Sequence, residues 1–237
     1  MNATAGPLLA SASLDKTVKL WDAQTGQELY SFKGHNSVVQ DVAFGPDERL
    51  ASICWDLTLK VWDAKTGKVF CSLEKAYDDM VHSLTFSPDG RFLATAGHDM
   101  TVKIWDARAG KSIHTLKGHG GRLTSVAFSP DGQFLASAGM EGIVRVIETS
   151  TWTEVRTFRG HTGWVWCVRF SPDGRRLASV GNDAIVHLWD VKTGQEIRAL
   201  HGHSDGVECV AFSPDGKQIA SASWDGTVKI WKTPPLP

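Results

Sequence analysis

Paired cysteine motifs are absent from this sequence. Cys54, Cys71, Cys167 and Cys209 are the only cysteines, and no two share a CxxC or Cys/His zinc spacing. That excludes a zinc ribbon and a disulfide framework; each cysteine sits in a strand-like apolar run and reads as a free core thiol in a reducing compartment. Long apolar runs are also missing, and the amino end, MNATAGPLLASAS, lacks the basic stretch and apolar core of a signal peptide. The expectation is a cytoplasmic protein with no membrane partner. Charge of one sign is not in excess, with 25 Lys+Arg against 26 Asp+Glu and a formal net charge of −1. A chain without a broad basic field is not expected to take nucleic acid as its partner. No metal cluster, phosphate-binding glycine loop or unique nucleophile is visible, so neither a cofactor nor a metal is expected, and the chain is read as not an enzyme.

What the sequence has is repetition. The stretch Gly160 to Asp190, GHTGWVWCVRFSPDGRRLASVGNDAIVHLWD, recurs at Gly202 to Lys232, Gly118 to Glu148, Ala76 to Asp106 and Gly34 to Asp63, at steps of about forty-two residues. Residues 8–22 repeat its second half. A period of this size signals stacked supersecondary units.

Each unit reads as strands joined by turns. Trp164 to Phe170 is aromatic and β-branched, and Ser171-Pro172-Asp173-Gly174 follows it. Proline fixes φ at the second turn position and glycine is free to take a positive φ at the fourth, so the chain reverses. SPDG recurs at Ser87, Ser129 and Ser213, and as Gly45-Pro46-Asp47-Glu48. Leu177 to Val180, a turn at Asn182-Asp183-Ala184, and Ile185 to Trp189 give a second and third strand. After the Lys192-Thr193-Gly194 turn, Glu196 to Leu200 gives a short outer one. Four short antiparallel strands per unit, with no helical periodicity, predict an all-β array.

The Gly-His start, the SPDG turn, the turn Asp and the closing Trp-Asp, at Trp21-Asp22, Trp62-Asp63, Trp105-Asp106 and Trp189-Asp190, resemble the WD-repeat (WD40) family over residues 8–232. The resemblance implies a β-propeller of four-stranded blades in one domain, 1–237, with blades at about 8–33, 35–73, 77–116, 119–158, 161–200 and 203–232. It also implies a hydrogen-bonded set in each blade: the His, a second-strand Ser or Thr, the turn Asp and the third-strand Trp. Carried over, these are His35, Ser52, Asp56 and Trp62; His161, Ser179, Asp183 and Trp189; and His203, Ser221, Asp225 and Trp231. His, Ser and Asp are also the members of a nucleophilic triad, but a catalytic constellation is assembled once in a cleft, whereas this one recurs blade by blade and includes an indole. A structural role is expected.

Two blades depart from the pattern. Ala76-Tyr77 replaces Gly-His, so Thr95, Asp99 and Trp105 lose their imidazole; in the next blade Glu141 replaces the Asp and Ile147 the Trp. The second departure is expected to leave His119 and Ser137 without their usual partners and to make this blade the least stable. Trp152 also stands there in place of a turn glycine.

Labelling strands a to d outward from the axis, the first blade has b, c and d and the last has a, b and c. The absent outer d and inner a strands are consecutive in the repeat, so the ring is expected to lack one d–a segment lying upstream of Met1, through truncation or because a partner supplies it. ATAGP at residues 3–7 takes the place of the SPDG turn, and the prolines at 234, 235 and 237 cannot complete a ladder. Open edges of this kind invite pairing, so self-association through them, or a role as a fragment or regulatory module of a larger protein, is the alternative expectation.

The resemblance implies a non-catalytic scaffold that docks a protein or peptide on its top face. In each blade that face is reached by the third and fifth residues after the His and by the residue before the turn Asp. These are Val38, Gln40 and Trp55; Met80, His82 and His98; Arg122, Thr124 and Met140; Trp164, Trp166 and Asn182; Gly206, Glu208 and Trp224; with Leu14 alone from the first blade. Tryptophan, methionine and arginine are the types enriched at interface cores. Trp164, Trp166 and Trp224 fall on adjacent blades and would form one aromatic patch, although tryptophans in strands also pack between blades. His82 and His98 share a blade without a Cys or carboxylate at matching positions, and read as surface histidines rather than metal ligands.

Overall fold

The computed structural model describes residues 7–74 and 76–234; most of ATAGP and the last three residues, to which two of the expectations above refer, lie outside them. The described residues form 22 strands in six antiparallel sheets. The first sheet holds β1 (Leu8–Ala12), β2 (Val18–Asp22) and β3 (Glu28–Phe32). The second runs β4 (Val39–Phe44), β5 (Arg49–Cys54), β6 (Leu59–Asp63) and β7 (Val69–Leu73). The third runs β8 (Val81–Phe86), β9 (Phe92–Gly97), β10 (Val102–Asp106) and β11 (Lys111–Leu116). The fourth comprises β12 (Leu123–Phe128), β13 (Phe134–Gly139), β14 (Ile143–Glu148) and β15 (Thr153–Arg159). The fifth comprises β16 (Val165–Phe170), β17 (Arg176–Gly181), β18 (Ile185–Asp190) and β19 (Glu196–His201). The last is three-stranded, β20 (Val207–Phe212), β21 (Gln218–Ser223) and β22 (Val228–Lys232). Three-stranded sheets thus stand at both ends of an incomplete propeller.

Local chemistry explains the strand ends. In the SPDG turns Gly90, Gly132, Gly174 and Gly216 all take φ between 67° and 71°, and each donates its N–H to the serine carbonyl three residues back at 2.8–2.9 Å. The serine hydroxyl donates to the Asp, as from Ser87 to Asp89 at 2.6 Å, and accepts the N–H that opens the next strand, from Phe92 at 2.8 Å. In the degenerate copy Asp47 and Glu48 both enter the left-handed region, at φ 59° and 58°, to make the same reversal without glycine.

Burial follows strand position. β5 is buried from end to end and β11 is almost wholly exposed. The core lies between sheets rather than within them: Ala138 and Val144 of the fourth sheet pack with Val165 and Val168 of the fifth, and Val180 and Leu188 pack with Val207 and Val210 of the sixth. Each fully buried side chain of this size stabilises the fold by about 1.5–3 kcal/mol, so each blade is held chiefly by its neighbours.

Two expectations are corrected here. Cys54 and Cys167 are core thiols, but Cys71, on an outer strand, is half-buried and Cys209 is exposed. An apolar run does not distinguish the covered face of a strand from the bare one, and among the described residues no sheet follows the last one to cover it. The second correction concerns the fourth sheet. Glu141 bonds His119 Nδ1 directly and accepts the Gly120 N–H at 2.9 Å, while His119 Nε2 meets Ser137 Oγ at 2.8 Å. The extra methylene of glutamate lets its carboxylate span the aspartate's place, so His119 and Ser137 keep partners and only the indole is missing.

Candidate protein-binding face

In five of the six sheets a backbone irregularity turns one side chain of the innermost strand toward one end of the sheet. The innermost strand skips one residue in its pairing with the next, between Val39 and Asp41, Val81 and Ser83, Leu123 and Ser125, Val165 and Cys167, and Val207 and Cys209. The skipped residues are Gln40, His82, Thr124, Trp166 and Glu208. A bulge of this kind re-aims a side chain out of the ladder, and four of the five then bond the residue before the turn acid. Trp55 Nε1 donates to Gln40 Oε1 at 2.8 Å, Trp166 Nε1 to Asn182 Oδ1 at 2.5 Å and Trp224 Nε1 to Glu208 Oε2 at 2.7 Å, while His82 Nε2 lies 2.6 Å from His98 Nε2. Thr124 instead donates to the carbonyls of Ala138 and Val165, leaving Met140 unbonded to it.

The backbone closes the same loop. The N–H of the residue before the turn acid donates to the carbonyl of the third residue after the His, from Trp55 to Val38, His98 to Met80, Met140 to Arg122, Asn182 to Trp164 and Trp224 to Gly206, all at 2.7–3.0 Å. In blade five a Cβ on Gly181 would sit 2.0 Å from the Trp164 carbonyl, so only glycine permits this approach.

Beneath this end lies the polar set. His161 bonds Asp183 at 2.7 Å and Ser179 at 2.7 Å, and Trp189 Nε1 donates to Ser179 at 2.8 Å; His203, Asp225, Ser221 and Trp231 repeat those contacts at 2.7–2.8 Å. In blade two, His35 Nε2 meets Ser52 at 2.7 Å and Trp62 donates to Ser52 at 2.8 Å, but Thr58 stands between His35 and Asp56, 2.9 Å from the ring and 2.6 Å from the carboxylate. In blade three, Trp105 still donates to Thr95 at 2.9 Å and Tyr77 fills the imidazole's place, its ring edge-on to Trp105.

The sequence that carries this polar set is similar to that of known proteins. The family model described as "Echinoderm microtubule-associated protein second beta-propeller" matches residues 81–236, and "WD domain, G-beta repeat" matches residues 3–22 and 26–63. The chain belongs to the WD-repeat β-propeller family. Among curated relatives it is 59% identical over 39 residues to the WD40 repeat-containing protein HOS15 of Arabidopsis thaliana, covering 16% of this chain and 6% of that protein. It is 52% identical over 46 residues to the nuclear distribution protein PAC1 of Arthroderma benhamiae, covering 19% and 10%. The matches span about a tenth or less of those relatives. WD-repeat propellers serve in general as protein-interaction scaffolds.

Five of the six second-strand hydroxyls, those of Ser52, Thr95, Ser137, Ser179 and Ser221, are buried, and Ser11 is half-buried. Two groupings, His35–Cys54–Asp56 and His161–Asp183–His187, bring three donor atoms within 4.8 Å. The ring nitrogens of His35 and His161 are already bonded within their blades. His187 was not singled out from the sequence, although the signal is there: Lys19, Lys60, Lys103, Arg145 and Lys229 hold the equivalent place. It does a cation's work, with Nε2 3.5 Å from Asp183 and Nδ1 2.5 Å from Glu196. Burial disfavours its charge, yet the two carboxylates outweigh burial and raise its pKa.

At the top face, Trp164 and Trp166 meet edge to face with centroids 5.5 Å apart, and Trp166 lies 5.6 Å from Trp224. Trp164 and Trp224 are 42% and 52% exposed, so these rings are not packed away between blades. Trp55 is exposed on blade two, apart from this cluster. Met80 and Met140 are half-buried, and Arg122, Asn182 and Glu208 are exposed. Burial, seconded by the neighbouring His98 and Arg122 charges, lowers the pKa of His82, and burial with Arg122 lowers that of His98.

Proposed function

We propose that this WD-repeat propeller docks a protein or peptide on the face formed by Trp164, Trp166 and Trp224, with Asn182 and Glu208 at its rim. The observation that supports this is the contiguity of three indoles across two blades with two of them exposed. The Nε1–H groups of Trp166 and Trp224 already bond Asn182 and Glu208. Those rings are therefore held in place and offer faces rather than donors, and rigid aromatic anchors lose little entropy on binding. Met80, His82, His98, Arg122 and Met140, from blades three and four, and Trp55, from blade two, extend the same face with chemistry of a different kind.

The test starts from peptides selected against the natural chain from a displayed random library. Trp166→Ala and Trp224→Ala are each expected to weaken the selected peptides by about thirty-fold, the scale of an interface hot spot, and to leave the melting temperature within a few degrees. Peptides that bind both variants as tightly as the natural chain would place recognition elsewhere.

A second reading, interaction through strand edges, is favoured by apolar side chains on β1 and β22: Leu9, Val228 and Ile230 are all largely exposed. Supplying a designed d–a segment upstream is expected to raise the melting temperature and to abolish any concentration-dependent association seen by sedimentation velocity. No change in either measurement would remove this reading while leaving the first intact.

A further inference from the structure

Blade four contains the outline of a side chain it does not have. In the other five blades the third-strand indole donates Nε1–H to the second-strand hydroxyl, from Trp21 to Ser11, Trp62 to Ser52, Trp105 to Thr95, Trp189 to Ser179 and Trp231 to Ser221, all at 2.8–2.9 Å. Ile147 stands at this position in blade four, and it is buried. The far edge of the indole has a fixed neighbour as well. A Cβ on Gly34, Gly160 or Gly202 would lie 3.5, 2.9 or 3.0 Å from Cη2 of Trp62, Trp189 or Trp231, whereas one on Gly118 meets nothing within 4 Å. Both ends of an indole slot are thus present, and a cavity of about 210 Å³ lies there, lined by Val102, Leu116, His119, Ser137, Ile147 and Trp152 among others.

The polar end is prepared to accept. Glu141 takes the Nδ1–H of His119, which leaves the Nε2 lone pair to accept the Ser137 hydroxyl at 2.8 Å. This tautomer follows from the hydrogen-bond network. The oxygen of Ser137, on a fully buried residue, then keeps its own lone pairs for a donor that Ile147 cannot supply. The apolar end is walled by Trp152, which holds φ at 56°, a region costly for a non-glycine residue, with its ring edge-on to Phe92 at 5.4 Å. An apolar cavity of about 150 Å³ is enough to take up benzene; this one holds about 210 Å³, opens to solvent and is lined by Lys117, Arg145 and Glu154 as well as by Val102, Leu116, Ile147 and Trp152, so it has room for a benzene-fused ring carrying one N–H.

We propose that blade four is a binding slot for indole-class ligands: flat, bicyclic, N–H-bearing heteroaromatics, whether free molecules or a tryptophan side chain presented by a peptide. The ligand lies with its N–H on Ser137 Oγ and its six-membered ring toward Gly118. This slot is separate from the indole patch at the top of blades five and six and does not depend on that reading.

The test is calorimetric titration of the natural chain with indole and with benzofuran, which has the same shape and no N–H. Indole is expected to bind about ten-fold more tightly than benzofuran, the worth of one hydrogen bond. Ser137→Ala should bring indole down to the benzofuran level, and Ile147→Trp, which fills the slot, should abolish both. Titration with N-acetyltryptophanamide separates the sources: binding comparable to indole assigns the slot to a peptide side chain, and binding of indole alone assigns it to a free molecule. Equal affinity for indole and benzofuran, or no measurable heat with either, would overturn the proposal, and that comparison needs no variant to fold.

Discussion

Replacing Asp183 with alanine is expected to lower the free energy of unfolding by about 3–5 kcal/mol, the scale on which removal of one partner strands buried charge. Asp183 Oδ2 lies 2.7 Å from His161 Nδ1 and 3.5 Å from His187 Nε2 and accepts the Thr162 N–H at 3.3 Å. All three side chains are at most 5% exposed. Burial alone would raise the pKa of this carboxyl, but the two imidazoles outweigh burial and hold it far below the usual range. A depressed carboxylate value means that the carboxylate's contribution is complete above the ordinary Asp value and is lost progressively as pH falls from there through the depressed one. The variant would leave His187 with Glu196 alone and His161 with no acceptor at Nδ1. Urea unfolding at pH 7 measures the effect as a lower midpoint at constant slope. Asp225→Ala is the control: Lys229 replaces the second imidazole there, the site lies in the open last blade, and a smaller loss is expected. A loss below about 1 kcal/mol at Asp183 would show that the cluster is not coupled as its geometry indicates.

Asp41→Ser is expected to act in the opposite direction, stabilising the chain by about 2–3 kcal/mol at about pH 8. Asp41 occupies the position at which β4, β8 and β12 each cap the next inner strand. Its Oδ2 accepts the Leu84 N–H at 2.9 Å, as Ser83 Oγ accepts from Val126 at 3.3 Å and Ser125 Oγ from Val168 at 3.1 Å. A serine therefore already does this work twice without charge. Burial pushes the Asp41 carboxyl up to about 6, against the two backbone donors that lower it. The folded chain then binds this proton more tightly than the unfolded one, so stability is greatest below the ordinary Asp value and falls as pH rises toward about 6, where the loss levels off. Melts of the two proteins at about pH 4 and about pH 8 separate the contributions. The gain should be nearly absent at the lower pH and full at the higher, and an equal gain at both would mean that packing rather than charge is responsible.

The architecture was legible because its signals are local and recur. Ser171-Pro172-Asp173-Gly174 specifies a reversal wherever it occurs, and the alternation between strands and turns needs no long-range information. The strand count followed from the same reading, including the two three-stranded ends. What could not be read depended on reach or on pairing. Glu141 looks like the loss of an aspartate in a one-letter comparison, but its extra methylene puts a carboxylate against the same imidazole. His187 looks like an unremarkable strand residue until its five counterparts are seen to be Lys or Arg. Cys209 has the same apolar flanks as Cys167, but Cys167 lies in a sheet that another follows and Cys209 in the last of the described sheets. The union of Trp166 with Asn182, or of Trp55 with Gln40, was hidden for a different reason. It depends on a skipped residue in the ladder, and a bulge at this point has no compositional signature distinct from the strand around it.

Those skipped residues separate two kinds of information in the chain. The ladder, the SPDG turns and the buried His-Ser-Asp-Trp contacts are written at positions other than the bulged one. Gln40, His82, Thr124, Trp166 and Glu208 can therefore differ from blade to blade while the pairing around them stays the same. Three of the inner strands cap the next through one shared position, so a repeat works as an interchangeable cassette. Moving the two adjacent blades that carry Trp164, Trp166 and Trp224 as a unit would carry the aromatic patch to a new bearing around the axis without rewriting the scaffold. Such a chain can acquire a new pattern of contacts by duplication and reordering, with point substitutions confined to a few letters in each copy.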